Sequence, residues 1–83
     1  MNNIQEQIKN FILSEFVFDR NEIDSDEDLL SQGILDSSGV LQIVFFMEKE
    51  YGISVGDEEI VPDNFQSVNA LTQFIQRKKG AGS

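Results

Sequence analysis

The sequence predicts an all-α domain of four helices, three longer ones and a short third, and three observations carry that expectation. Apolar residues recur at three- and four-residue steps near both ends of the chain and between residues 36 and 51. Residues suited to helix capping stand just ahead of those stretches. A chain of 83 residues can also bury only somewhat more than ~60% of the surface its unfolded form exposes, which calls for an economical, bundle-like core. Its 40% apolar content, seven Phe and one Pro mark an ordered chain with no room for a second domain.

The first helix is read from Ile4, Ile8, Phe11, Ile12 and Phe16, which share one stripe, with Asn3 as N-cap and Glu6 in the capping-box position. From Asp19 to Asp36 the period fails. That segment holds seven acidic residues against one Arg, and Ile23, Leu29, Leu30, Ile34 and Leu35 are the anchors expected to dock it as a long loop. The second helix runs from Asp36 to about Tyr51: Asp is a favoured N-cap, Ser37 and Ser38 suit a first turn, and Gly52 follows as a stop. At about 100° per residue, Val40, Ile43, Val44, Met47 and Tyr51 gather on a core-facing flank. Leu41 and Phe45 fall on the side of Ser37 and Glu48 and are expected to be exposed.

Asp57 to Ile60 reads as a short acidic turn of helix that Pro62 keeps from lengthening. Ser67 is placed to cap the last helix, whose core positions are Val68, Leu71, Phe74 and Ile75, while Arg77, Lys78 and Lys79 suit the negative end of its dipole. The expected domain is 1–79, with 80–83 as a flexible tail.

Composition narrows function. Fifteen Asp and Glu against six Lys and Arg give a formal charge of −9, which repels nucleic acid and anionic membranes. Without Cys, His or Trp there is no disulfide, no thiol nucleophile and no ordinary zinc site, and the side chain most used for proton transfer near neutrality is missing. A non-catalytic protein is therefore expected. The N-terminus shows neither a basic flank nor an apolar run of signal length, so a cytoplasmic location is expected, with a monomeric state.

Ser37 follows a long loop and an N-capping Asp and opens a helix, where unpaired amides and the positive dipole end favour a phosphate by ~0.3–1 kcal/mol in an exposed setting. First-turn serines are common, and simple capping is the alternative that position alone leaves open. The residues around it go further. Gly33, Ile34, Leu35, Asp36, Ser37 and Ser38 form a Gly, two apolar residues, an Asp and a Ser ahead of the second helix, and flanking runs stand at 29–30, 48–53, 57–59 and 64–68. Over Asp24 to Ile75 the chain resembles the acyl carrier and peptidyl carrier family. The resemblance implies 4′-phosphopantetheine on Ser37, moved from coenzyme A by a phosphopantetheinyl transferase that uses magnesium. Asp36 then serves capping and transfer geometry, and cargo rides as a thioester between a loading enzyme, adenylating or acyl-transferring, and a downstream transferase or synthase.

The sequence departs from that family in its second helix. Carriers of fatty acid synthesis typically carry acids there, yet Ser38 to Met47 has no charge, and Gly39 and Gln42 stand at positions often acidic. Ser38, Leu41, Phe45 and Glu48 are accordingly the expected partner contacts, as in carriers that serve amino-acid-activating enzymes, and a dedicated biosynthetic pathway is expected. Packing beneath the loop is the other reading for Leu41 and Phe45. Gly39 is unfavourable within a helix, and close approach of a partner or of the arm is one reason for it. Asp24, Asp26 and Asp28 alternate as in a calcium loop, but Leu29 and Leu35 occupy its Gly and Glu positions. Asp57, Glu58 and Glu59 read as a solvated helix start that can also steer basic partners. An initiating Met and a short tail fit a free-standing carrier. The rival from another class is a small acidic interaction module that regulates a partner through Leu41 and Phe45 and carries no prosthetic group.

Overall fold

The computed structural model describes residues 4–17 and 22–81, and all regular structure among them is helical. Helix α1 spans Ile4–Glu15, α2 Ser37–Tyr51, α3 Pro62–Phe65 and α4 Val68–Ala81, with a single 3-10 turn at Asp57–Glu59. This is the carrier-like bundle of three longer helices and a short third. Helix α4 is its hub, packing against α1, α3 and α2.

The apolar stripes explain the packing. Ile8 and Ile12 of α1, Ile43, Val44 and Met47 of α2, and Val68, Leu71, Phe74 and Ile75 of α4 are buried in one core with Phe65 of α3. Fully burying a side chain of this kind stabilises by ~1.5–3 kcal/mol, so this set is the main force holding so small a chain together. Val40, Tyr51, Ile4, Phe11 and Phe16 pack against it half-buried. Phe46 was not among the expected core residues, yet its ring stacks on Phe11 at 4.2 Å and 21° and meets Tyr51 edge-on at 6.1 Å, joining α1 to α2. Burial, and secondarily Glu50, raises the Tyr51 phenol above its ordinary range, and its hydroxyl donates to Gln7.

The loop between α1 and α2 docks as expected: Ile23, Leu29 and Leu35 are buried, and Leu30 and Ile34 half-buried. Polar bonds add to those anchors. The Leu29 amide donates to the Gln66 carbonyl at 2.7 Å and the Asn69 amide to the Ser25 carbonyl at 3.0 Å. The Gln5 amide group of α1 donates to both Ser25 Oγ at 2.6 Å and Asn69 Oδ1 at 2.9 Å. The loop is thus bound to both terminal helices.

Two boundaries differ from the sequence reading. The short acidic turn expected ahead of Pro62 is present as the 3-10 turn, but Pro62 is also the first residue of a further helix, α3, where its missing N–H is no loss and its fixed φ suits the turn. Helix α4 also continues to Ala81, past the expected start of a tail at residue 80. Asn3, Asp19, Arg20, Gly82 and Ser83 lie outside the described residues. Ser67 caps α4 as expected, its Oγ accepting from the Ala70 amide at 3.1 Å.

Candidate functional site

The loop delivers the chain to the start of α2 through two local devices. Asp28 Oδ1 accepts from the amides of Leu30 at 3.1 Å and Ser31 at 3.0 Å, bonds led by that of Ser31 that hold its carboxyl below the usual range. Gly33 then turns the chain at φ +76, a conformation costly for residues with a Cβ, after which the Leu35 amide donates to the Leu29 carbonyl at 3.0 Å. Leu35 enters the core, and Asp36 is left at the surface with extended backbone, φ −109 and ψ −169. Its Oδ1 accepts from the Gly39 amide at 2.8 Å, the expected N-cap.

Ser37 is the first residue of α2 and is exposed, as is Ser38. With the Gly39 amide satisfied by Asp36, the amides of Ser37 and Ser38 remain outside the helical ladder, at the positive end of the macrodipole. Beside Ser37 opens a groove of about 500 Å³. Leu30, Leu35, Asp36, Val40 and Leu41 line it with the serine on one side, and Ile60, Val61, Pro62 and Phe65 face them. A hydroxyl at a helix tip beside an apolar groove suits a phosphate that bears an extended chain, since backbone donors and hydrocarbon lie side by side there.

Leu41 and Phe45 are 52% and 68% exposed, so they do not pack beneath the loop. Leu41 lines the groove with Val61, which is also exposed, and Phe45 stands one helical turn beyond Leu41 on α2. Two sequence expectations change here. Glu48 is half-buried, and its Oε2 accepts from the Val55 amide at 2.9 Å, so its carboxylate braces the segment after α2. Gly39 is buried, and a Cβ there would meet Leu35 Cδ2 and Phe16 Cε1, both at 3.2 Å; its smallness serves internal packing. The facing wall of the groove was missed altogether. Ile60, Val61 and Pro62 carry no periodic pattern that ties them to residues some twenty positions earlier; only the tertiary fold brings them opposite Ser37.

The basic residues of α4 do more than face its dipole. Lys78 pairs with Glu59 at 2.9 Å, Arg77 donates to Asn64 Oδ1 at 3.1 Å, and the Lys79 ammonium lies 5.6 Å from the Tyr51 ring centre. The Gly56 amide and Lys78 hold the Glu59 carboxyl below the ordinary range. No helix among the described residues is long and apolar enough to cross a membrane.

Fold and site together have the form of a carrier module, a helical bundle with an exposed serine at the amino end of α2. Residues 6–75 match the family described as the phosphopantetheine attachment site, and the chain belongs to that family of carrier proteins. Its similarities extend over nearly whole chains. It is 30% identical to the probable acyl carrier protein PigG of Serratia sp., over 92% of this chain and 88% of that protein. It is 32% identical to aminoacyl carrier protein 2 of Bradyrhizobium diazoefficiens, over 100% and 99%. It is also 32% identical to the D-alanyl carrier protein of Streptococcus suis, over 87% and 90%.

Proposed function

We propose that this protein is a non-catalytic carrier in which Ser37 receives 4′-phosphopantetheine from coenzyme A through a phosphopantetheinyl transferase, and which serves a dedicated biosynthetic pathway by presenting acyl or aminoacyl cargo to successive enzymes. The observation that carries the reading is the exposed Ser37 at the amino end of α2, opening on an apolar groove. When bound, the group supplies the thiol that a chain without Cys lacks, and holds cargo there as a thioester. Ser37 gives the oxygen for attachment. Asp36 fixes the first turn by capping Gly39 and leaves its carboxylate at the surface beside that oxygen's residue. Leu30, Val40 and Val61 give the arm an apolar path away from water.

Partner enzymes meet the face made by Ser38, Leu41 and Phe45. That face has no charge from Ser38 to Met47, which supports an apolar contact and, with the aminoacyl and D-alanyl carriers among the similar proteins, supports loading by an adenylating enzyme. Holding cargo on a tether keeps its concentration at each partner site high without release between steps.

Mass spectrometry after incubation with coenzyme A, magnesium and a permissive transferase tests the reading. One phosphopantetheine is expected on the parent chain and none on Ser37→Ala; a parent of unchanged mass defeats it. Leu41→Asp and Phe45→Asp are expected to keep the fold, since both side chains are exposed, while slowing loading by the partner at least tenfold, a loss of ~1.4 kcal/mol of contact.

A further inference from the structure

Within the segment 56–65, the residues Ile60, Val61, Pro62 and Phe65 form one wall of the groove. Phe65, at the far end, is the only buried side chain of the segment. The segment closes on itself: the Glu59 amide donates to the Gly56 carbonyl at 2.9 Å, the Gly56 amide to Glu59 Oε1 at 2.9 Å, and Asn64 Nδ2 to the Glu59 carbonyl at 2.9 Å. Two consecutive basic residues of α4 then grip it. Lys78 Nζ donates to both carboxylate oxygens of Glu59, at 2.9 and 3.0 Å, and Arg77 donates to Asn64 Oδ1 at 3.1 Å. Glu59 is therefore bonded at once to its own segment and to α4.

We propose that Lys78 is a positioning residue for the groove: by holding Glu59, with Arg77 holding Asn64, it sets the distance of the wall at residues 60–62 from α2 and so the length of apolar cargo that fits beside Ser37. The cargo clause rests on the carrier reading; the latch does not. Phe65, 1% exposed, stays anchored when the latch opens and serves as the pivot. The Lys78 and Glu59 side chains are 28% and 26% exposed, so the pair is within reach of screening by salt.

Amide hydrogen exchange on the unmodified chain tests the latch. In Lys78→Gln, the amides of Glu59, Ile60, Val61 and Asn64, all hydrogen-bonded within the segment, are expected to exchange on the order of fivefold faster, while Leu71, Phe74 and Ile75 keep the parent rates. Lys78→Arg restores slow exchange, and added salt speeds the parent but not Lys78→Gln. Unchanged rates at 59–64, or equal acceleration at 59–64 and 71–75, overturn the latch. In chains loaded on Ser37 with a short or a long straight acyl chain, Lys78→Gln is expected to change the ratio of their thioester hydrolysis rates by a few-fold, and an unchanged ratio overturns the assignment to cargo length. A chain that no transferase loads strikes the carrier reading instead and leaves the exchange result standing.

Discussion

Replacing Gly39 by Ala sets two effects against each other. Ala is favoured over Gly inside a helix by up to ~1 kcal/mol, and by roughly half that in a first turn. Against this, the new methyl carbon would stand 3.2 Å from Leu35 Cδ2, 3.2 Å from Phe16 Cε1 and 3.5 Å from Asp36 Oδ1. Overpacking of this kind costs ~1–3 kcal/mol, depending on whether the neighbours can retreat. Leu35 is 2% exposed and has nowhere to go, and Asp36 is committed to the Gly39 amide; only the half-buried Phe16 can yield. One neighbour of three giving way puts the penalty near ~1.5 kcal/mol, and subtracting the propensity gain leaves a net loss of about 1 kcal/mol. Urea unfolding should show it as a lowered midpoint at unchanged slope, and thermal unfolding as a drop of roughly 4–8 °C. The same substitution in a Phe16→Leu background should cost less, with a coupling of at least ~0.5 kcal/mol between the two sites. A Gly39→Ala protein more stable than its parent, or penalties that simply add, would refute the assignment of Gly39 to internal packing.

Asp36→Ala removes a side-chain cap and should lower stability by ~1 kcal/mol in urea unfolding, whereas Asp36→Asn, an equally good cap, should stay near the parent; a slower gain of phosphopantetheine mass in the Asn protein then measures what the carboxylate itself does in transfer. Glu59, held below the ordinary carboxylate range by the Gly56 amide and then by Lys78, binds fewer protons folded than unfolded, so the stability it lends is fully present above that range and is lost as pH falls through its lowered folded value. Urea midpoints of the parent and Glu59→Gln should accordingly differ by a constant amount at neutral pH and converge on the acid side; a gap that widens on acidification would show the sign to be wrong.

The site was legible where its causes are local. An Asp before two serines and an apolar period marks the start of α2, and the four-residue step from Ser37 to Leu41 to Phe45 places those side chains on the outer face, because both follow from helix geometry alone. The four core positions of α4 were legible for the same reason. What remained hidden depends on partners far along the chain. Arg77 and Lys78 look like dipole complements until Asn64 and Glu59 are seen beside them, and Gly39 looks like a flaw in a helix until Phe16 is seen against it. Glu48 belongs to this group too, since nothing in its neighbourhood along the sequence points to the Val55 amide. Pro62 showed only half of its role, because one residue can end one turn of helix and begin another, and packing of Phe65 against Phe74 at 5.9 Å favours the second.

The bonds from Gln5 and Asn69 to Ser25, and from Leu29 to Gln66, bear on the protein's birth at the ribosome. Until residues 66–69 have emerged, the acidic connector has its contact with Gln5 but lacks the backbone partners at Gln66 and Asn69 that hold its path toward α2. A chain stopped short of α4 is therefore expected to leave that approach unfixed, however well its first two helices are formed.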